Sequence, residues 1–504
     1  MTASAPELMG ILLACGAAAA ALVLEDRRWQ HAAMAVALLT APVLVLGNVW
    51  HEPRVVDFRH SPAQVGAAVV VGGAALAGLA AVLRRRPEWF AIAAFAVLPL
   101  RVPVEIGGET ANLLVPLYLV IGSGVIASIL SGREPNDERR TTNDSSPWPK
   151  RLRWLLAATV VLYAIQSAYS VDVPNAIENI GFFLVPFSVL FVLVCEARWS
   201  RELARRALIA VGIVAVGCAL IGIYQYYARD LFLNPELLDS NELHVYFRVN
   251  SIFFDPNVYG RYLALAITAF AACIAWGGSR RDLTLAGLVC AVCLVALAFS
   301  YSITSAASLL AGLGIVAILR YSWRGVIAYG ALGLAGLAVL VIAGGTPTSD
   351  IEDVRSIDAG HADLIKGGLA LAGAIDDPDA RDQGDFGRPI AGYGSGSFGR
   401  AFFEHVEQAR TTVSHSEPVT VAAEQGLIGL VVYVGLLVCA LATLLGSHPG
   451  RSLMRTVAAA CFVAILVDSF GYTGFVIDPA TWALLGLGIV ARRDPPEDFA
   501  TIPG

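Results

Sequence analysis

The sequence predicts a polytopic, all-α membrane protein, and three observations support that fold class. Hydrophobic residues make up 56% of the chain and charged residues only 15%, with a mean hydropathy of +0.65, whereas a soluble protein carries about 25% charged residues. Apolar runs long enough to cross about 30 Å of hydrocarbon as a helix recur along the whole chain. These runs are continuous rather than alternating, which excludes a closed β-barrel.

About fifteen membrane spans are predicted from these runs. Clusters of basic residues occur in alternate connections, and all of them fall on the cytoplasmic side if the N-terminus lies outside and the C-terminus inside. The first run is not expected to be a cleaved signal peptide, because its basic residues follow it instead of preceding it. The predicted spans are 8–24, 32–50, 64–83, 88–101, 111–131, 153–170, 176–195, 205–227, 257–277, 283–300, 304–320, 326–344, 418–445, 452–470 and 479–491.

One long polar segment, residues 345–417, interrupts the apolar pattern. It lies between the twelfth and thirteenth predicted spans, so the same topology places it on the extracytoplasmic side. Its portion 364–375 is compatible with a helix on the membrane surface, and 376–388 is typical of an irregular acidic connection. The segment returns His415 to the membrane surface at its end.

Ionisable residues near the span ends concentrate on the predicted outer side. A charge within lipid costs about 3 kcal/mol or more, so each one needs an explanation. Snorkelling towards the interface explains any single residue equally well. Five such residues on one side favour a polar, outward-facing cavity over five independent interfacial charges. They are Arg101, Glu178, Arg261, Glu424 and Asp468.

The start of the ninth predicted span is a candidate anion site. Asp255 is placed as an N-cap and Pro256 as the first helical residue, and a helix N-terminus favours anions. Asn257 and Arg261 are four residues apart and therefore share one face of the helix. Arg248 lies just outside and can reach the same place. A well-capped helix with interfacial arginines is the alternative interpretation.

A glycine run, Gly392-x-Gly394-x-Gly396, stands within the long loop. No βαβ pattern surrounds the run, so a nucleotide-binding interpretation fails. Its expected role is a tight turn that lets the backbone approach another element.

His415 stands three residues before Pro418, which opens the thirteenth predicted span. Glu417 is expected to cap that helix. Glu424 lies about two turns further on and is shallow enough to face the same vestibule.

These segments, in this order, resemble the O-antigen ligase / O-antigen polymerase family of membrane glycosyltransferases. The resemblance covers residues 87–495. It implies a twelve-helix, GT-C-type core in residues 87–504, with a large extracytoplasmic loop between its ninth and tenth spans, and three additional N-terminal helices in residues 1–86. The matching pieces are Arg248-x-x-Ser-x-Phe-x-Asp255-Pro-Asn257, Arg355, the run 392–398, and His415 followed by Ala423-Glu424-Gln-Gly426-Leu-Ile-Gly429-Leu.

The resemblance implies transfer of a glycan from an undecaprenyl-diphosphate carrier to an acceptor hydroxyl on the outer face of the bacterial cytoplasmic (inner) membrane. His415 would act as base, a role suited to an imidazole that ordinarily titrates near pH 6.5. Glu424 would orient that imidazole or bind sugar. Arg248, Arg355 and Arg261 would bind the diphosphate, because a guanidinium matches phosphate with two hydrogen bonds.

The same resemblance assigns supporting roles to Asp255, Asn257, Gly394 and Gly396. No metal and no cofactor are expected, because the lipid-diphosphate bond supplies the energy for transfer. The expected partners are the undecaprenyl-diphosphate-linked glycan, an acceptor that is a lipid, a protein or a growing chain, and membrane lipid, with no nucleic acid.

The sequence departs from the family at the turn between the two spans before the loop-bearing pair. The family often has a Ser-Arg-Gly-like turn there, whereas this chain has Tyr301-Ser-Ile-Thr304-Ser305-Ala306-Ala-Ser308, without arginine. Either one cationic contact is missing, or Arg261 supplies it.

Several functions remain compatible with the sequence. A ligase and a repeat-unit polymerase use the same donor and differ only in the acceptor. A transporter or flippase for lipid-linked sugars belongs to a different class, and it should show charges near the membrane midplane and related halves with broken helices. The sequence shows neither feature clearly. A non-catalytic scaffold fits the spans but leaves the outer charges unexplained.

Overall fold

Long apolar helices joined by short polar connections form most of the structure, which is a computed structural model. Within the residues it describes, nine helical segments are long and apolar enough to cross a membrane. The protein is therefore a helical, polytopic membrane protein. The described residues are 3–106, 109–131, 146–231, 237–238, 241, 247–321, 327, 330, 363–375, 387–406, 414–446 and 452–493.

The helices of the described ranges follow one another along the chain, mostly with short connections between them. In the N-terminal half they are α1 (Ala5–Val23), α2 (Arg27–Asn48), α3 (Pro53–Arg59), α4 (Pro62–Arg85), α5 (Glu88–Val97), α6 (Val115–Ser131), α7 (Trp148–Ser167), α8 (Val173–Asn179), a π-helical turn (Ile180–Leu184), α9 (Val185–Glu196) and α10 (Arg201–Ala228). In the C-terminal half they are α11 (Pro256–Trp276), α12 (Arg280–Ser300), α13 (Ile303–Arg320), α14 (363–371), α15 (Phe398–His405), α16 (Glu417–Leu445), α17 (Leu453–Asp468) and α18 (Pro479–Arg493).

Every predicted span except 326–344 coincides with a helix or with the continuous α8–α9 segment. Residues 326–344 lie almost wholly outside the described part of the chain. The helix predicted for 364–375 is present as α14, although it ends at residue 371, and residues 376–386 are not described. The number of spans and the side on which the long loop lies stay predictions.

The all-helical prediction needs one correction between α5 and α6. β1 (Val102–Ile106) and β2 (Glu109–Leu113) form an antiparallel hairpin in which Val102 pairs with Leu113. The Gly107-Gly108 pair between two short runs is a hairpin sequence. As a result α5 ends at Val97, before the predicted residue 101, and α6 begins after the predicted residue 111.

Polar side chains fix the starts of several helices. Ser200 accepts a hydrogen bond from the backbone N–H of Leu203 at 3.2 Å, and Ser279 accepts one from Asp282 at 3.2 Å. Such caps satisfy amides that have no partner within the helix. The other helices capped in this way by a described side chain include α2 by Asp26, α13 by Ser302 and α17 by Ser452.

The N-terminal helices share a hydrophobic core with the rest of the chain. α1 packs against α2, α7 and α9, and α4 packs against α6. The buried residues of this core include Ile11 and Leu22 of α1, Leu190 of α9 and Leu485 of α18. The predicted boundary at residue 86 falls between α4 and α5, and the division into two domains there stays a prediction.

A second core cluster joins α10, α11 and α12 through Ala219, Leu263 and Leu297. α11 also packs against α13 and α17. Helices α11, α13, α16 and α18 begin at one end of this bundle, where α10, α12 and α17 end. We call it the His415 end, because the turn at residues 414–416 lies there.

Candidate functional site

The start of α11 has the predicted cap. Asp255 is the N-cap, and its Oδ1 accepts a hydrogen bond from the backbone N–H of Asn257 at 2.6 Å. Pro256 occupies the first turn, where its missing N–H costs nothing. The first turn of α11 is therefore held in one position, which places Asn257 at the His415 end.

Arg248 is held at the same place by both its backbone and its side chain. Its backbone N–H donates to Asn241 Oδ1 at 3.0 Å. Its side chain donates from Nε to the Ser300 carbonyl and from Nη2 to Asn257 Oδ1, each at 3.1 Å. Among the described residues no carboxylate lies within ion-pair distance of this guanidinium. Arg248 is thus fixed in position while its positive charge is not neutralised by a described acid.

The turn between α12 and α13, which lacks the family's arginine, lies beside Arg248. Its Ser300 carbonyl accepts from Arg248, and Ser305 Oγ donates to the carbonyl of Asn257 at 3.2 Å. The turn therefore contacts the predicted site through a carbonyl and a hydroxyl.

Arg261 is buried and engaged at every guanidinium nitrogen. Nε lies 2.5 Å from Asp468 Oδ2, and Nη1 lies 3.1 Å from Asp478 Oδ2. Nη1 also donates to the Gly474 carbonyl at 3.2 Å, and Nη2 donates to the Tyr472 carbonyl at 3.0 Å. A phosphate would have to displace two carboxylates here. The arrangement favours a structural role over the predicted diphosphate contact, and over substitution for the missing family arginine.

His415 lies in a turn that is fixed from both sides. Ser414 Oγ lies 2.8 Å from Thr420 Oγ1 and donates to the Ser416 carbonyl at 2.7 Å. His415 itself has φ of +59°, a conformation that is uncommon outside glycine and that costs roughly 1–3 kcal/mol. Such conformations persist where the surroundings determine them, and they are concentrated at functional sites.

Tyr472 connects His415 to the start of α11. Its ring centroid lies 5.7 Å from that of His415, and its hydroxyl lies near enough to Asp255 for the charge of that carboxylate to act on it. The Arg261 guanidinium lies 5.5 Å from the same ring. Burial raises the pKa of the Tyr472 hydroxyl well above its ordinary value, so the phenol stays protonated. Tyr472 thus lies between His415 and the start of α11, where Asn257 accepts from Arg248.

Glu417 does not cap α16, contrary to the prediction. Ser416 occupies the N-cap position, while the Glu417 carboxylate accepts from the backbone N–H groups of Gly474 and Phe475 at 2.8 and 3.2 Å. Its own N–H donates to the Ser469 carbonyl at 2.8 Å. Glu417 therefore holds the α17–α18 connection, which carries Tyr472, next to the His415 turn.

The glycine run makes the predicted close approach to another element. Gly392, Gly394 and Gly396 have φ of 66°, 96° and 72°, which glycine adopts without steric penalty. A Cβ on Gly394 would overlap the backbone of Ser170, just after α7. Asn175 of α8 donates to the Gly396 carbonyl at 2.6 Å. The run is thus packed into the α7–α8 connection.

Glu424 holds the glycine run from α16. Its Oε2 accepts from the Gly396 N–H at 2.8 Å, and its Oε1 accepts from the Phe398 N–H at 3.0 Å. Its carbonyl accepts from the Gly394 N–H at 2.8 Å. His415 is not among these partners, so the carboxylate orients backbone rather than the predicted imidazole.

A break in α16 makes room for this segment. Gly426 has φ of 63° and ψ of −161° inside the helix, and a Cβ there would overlap the carbonyl of Ile390. The N–H of Leu427, which lacks its helical partner at this break, donates to the Pro389 carbonyl at 2.8 Å. Residues 389–396 therefore add onto α16 through backbone hydrogen bonds.

Two predicted residues, Arg355 and Glu178, are not among the contacts described above. Arg355 lies outside the described residues, so its place in the site stays a prediction. Glu178 lies in α8, which packs against α2 and α7. Among the described residues no group of three His, Cys, Asp or Glu side chains could hold a metal ion. The expectation of a metal-free and cofactor-free site stays a prediction.

Sequence reasoning missed the contribution of the short α17–α18 connection. Tyr472, Gly474 and Asp478 all contact Arg261 or the His415 turn. An available signal was the density of polar residues between two apolar spans at the predicted outer side, with Asp468 and Asp478 at its two ends.

Comparison with known proteins adds no family assignment. No protein-family model matches the chain, and no curated protein matches its sequence. The likeness to the O-antigen ligase / O-antigen polymerase family therefore rests on the sequence motifs.

Proposed function

We propose that the protein is a membrane glycosyltransferase that moves a glycan from an undecaprenyl-diphosphate carrier to an acceptor hydroxyl. The observation that carries this proposal is that Arg248 and His415 lie at the same end of the bundle, where Asn257 accepts from Arg248 and Tyr472 contacts His415. It combines a fixed cation without a described acidic partner and a fixed imidazole at one end of an apolar bundle. Transfer from a lipid diphosphate to a hydroxyl uses a cation to stabilise the leaving group and a base to take the hydroxyl proton.

The proposed reaction assigns one task to each side chain. The acceptor oxygen forms a bond to the anomeric carbon of the donor sugar, and His415 takes the hydroxyl proton. The bond between that carbon and the diphosphate oxygen breaks, and the diphosphate leaves with the electron pair. Arg248 stabilises the charge that develops on the leaving group, a contact worth about 3 kcal/mol of barrier. Arg355 is proposed as a second cation from the long loop.

The other site residues are proposed to position these two groups. Asn257 and Asp255 orient Arg248 and Tyr472, Glu424 fixes the glycine run through backbone amides, and Arg261 holds three helix ends together. Glu424 and Arg261 thus act through other residues in this proposal.

We place the reaction on the outer face of the bacterial cytoplasmic membrane, with the N-terminus outside and the C-terminus in the cytoplasm. The distribution of basic residues supports this orientation. Labelling of single cysteines placed in the 345–417 loop with a membrane-impermeant reagent tests it, and labelling only after cell lysis contradicts it.

The test of the activity uses purified full-length protein, an undecaprenyl-diphosphate-linked glycan and candidate acceptors. His415→Ala and Arg248→Ala are each expected to lower transfer by about a hundredfold or more. Arg86→Gln, an exposed arginine at the end of α4, is the matched control. Transfer that persists in both site variants contradicts the proposal.

A deletion strain separates the remaining functions. Loss of a ligase leaves long carrier-linked chains, loss of a polymerase leaves single carrier-linked repeats, and mass spectrometry of the carrier lipids distinguishes the two. A transporter would move the carrier-linked sugar across liposomes without cleaving the bond. That outcome would replace the proposed reaction.

A further inference from the structure

A cavity of about 1000 Å³ extends along one side of the bundle, between α5, α10, α11, α12 and α18. Apolar residues line its middle, among them Val216, Leu265 and Leu288. At the His415 end it reaches Arg101, Arg261 and Asp478. At the opposite end it reaches Arg201, Arg205 and Arg281, at the starts of α10 and α12. The cavity is therefore apolar along its length and carries charged side chains of both signs at its ends.

Arg101, in the connection after α5, differs from the other arginine at its end of the cavity. Arg261 is fully engaged by two carboxylates and two carbonyls. Arg101 has a buried Nε without a hydrogen-bond partner among the described residues. Its guanidinium lies 5.9 Å from the ring of Phe253, and no described carboxylate comes within ion-pair distance of it. A buried donor of this kind points to an acceptor from a ligand.

The position of Arg101 relates it to the proposed reaction. Its charge interacts with those of Asp478 and Arg261, and with the Tyr472 hydroxyl. Tyr472 in turn contacts His415, so Arg101 lies at the same end of the bundle as the proposed reacting groups. Arg281 lies at the start of α12, at the opposite end of the same cavity from these groups.

We infer that this cavity holds the hydrocarbon chain of a polyprenyl phosphate or diphosphate, with its phosphate head against Arg101. The inference rests on the proposed function and deepens it, because this lipid would be the glycan carrier. The apolar middle accommodates the chain, and the Arg101 guanidinium at the His415 end complements the phosphate. Arg101 is thus assigned as a donor-binding residue that lies outside the motifs recognised in the sequence.

Binding of the purified full-length protein to three probes tests the head-group contact. The probes are undecaprenyl phosphate, undecaprenyl diphosphate and uncharged undecaprenol, measured by native mass spectrometry. Arg101→Gln is expected to weaken binding of the two phosphorylated lipids by about tenfold or more and to leave undecaprenol binding unchanged. Arg86→Gln is the control, because Arg86 is exposed and does not line the cavity, and it should bind all three lipids as the wild type does. Equal binding by Arg101→Gln, or equal loss for all three lipids, overturns the assignment.

A second pair of variants tests the chain site. Val216→Trp places a large ring in the middle of the cavity and is expected to weaken all three lipids by about tenfold. Gly217→Trp adds the same ring on the neighbouring residue, where a Cβ meets no atom within 4 Å, and should leave binding unchanged. If Val216→Trp does not fold, an undecaprenyl phosphate with a diazirine in its chain is expected to label α10 and α12 of the wild type. Labelling confined to other helices overturns the inference.

The outcomes separate this inference from the proposed function. If Arg101→Gln binds the donor normally while His415→Ala abolishes transfer, the inference fails and the proposed function stands. If phosphorylated lipids bind through Arg101 but the wild type transfers no glycan, the lipid site stands and the proposed function fails.

Discussion

Arg261 and Asp468 form a buried ion pair in which Nε lies 2.5 Å from Oδ2, with side-chain exposures of 3% and 0%. The pair joins α11 to α17, and Asp478 adds a second carboxylate from the residue before α18. Two charges out of water are stable only while each has its partner. The pair therefore holds together the three helix ends that surround Tyr472.

Arg261→Gln should destabilise the protein strongly. Removing the cation leaves the carboxylates of Asp468 and Asp478 without their partner, and an uncompensated buried charge costs about 3–5 kcal/mol. Thermal unfolding of the purified protein in detergent measures the effect. Glu202→Gln is the control, since it breaks an exposed pair with Arg206 that is worth at most about 1 kcal/mol. Equal melting temperatures for the two variants would show that the buried pair is not needed for stability.

Gly426→Ala should also destabilise the protein, because a side chain at this break in α16 would overlap the Ile390 carbonyl. The backbone conformation alone, with φ of 63° and ψ of −161°, costs about 1–3 kcal/mol for a residue other than glycine. Gly435→Ala in the same helix is the matched control. A Cβ there meets Leu155 at 3.7 Å, an ordinary contact, so that variant should be neutral or more stable. A wild-type melting temperature for Gly426→Ala would contradict the backbone assignment.

Glu424→Gln should lower stability while preserving the pH dependence of transfer. The amide retains one acceptor for the Gly396 and Phe398 amides and turns an NH₂ group towards the other, at a cost of about 1–3 kcal/mol. An imidazole base must be neutral, so the wild-type rate should fall as acid protonates it. Glu424→Gln should keep this acid limb, whereas His415→Gln should lose it with the activity. A changed acid limb in Glu424→Gln would show that the Glu424 carboxylate acts on the reacting groups.

Asn257→Asp should weaken donor binding more than Asn257→Ala does. The new carboxylate would lie at the position where Asn257 Oδ1 now accepts from Arg248 at 3.1 Å, and it would pair with the guanidinium in competition with a phosphate. The KM for the lipid-diphosphate donor is expected to rise by about tenfold or more. Asn257→Ala removes one hydrogen bond without adding charge and serves as the comparison. Equal effects of the two variants would argue against an anion at Arg248.

The sequence alone predicted the features that depend on neighbouring residues. Runs of apolar residues specify helices of membrane length wherever they occur, so the described helices coincide with the predicted spans. The Asp255-Pro256 start of α11 followed from capping chemistry within three residues. The positive φ angles of Gly392, Gly394 and Gly396 likewise agree with the tight turn expected of a glycine run.

Tertiary structure decided which partner each polar side chain meets. Arg261 pairs with an acid about two hundred residues away, Glu424 with amides of the glycine run, and Glu417 with the α17–α18 connection. Sequence reasoning identified Arg261 and Glu424 as charges that need a reason, because burying a charge is costly, and it predicted Glu417 as a helix cap. This energetic cost does not specify the partner, because any well-placed opposite charge or amide can compensate the buried charge. Only the packing of distant helices selects one, and that selection leaves Arg248 and Arg101 without described acidic partners.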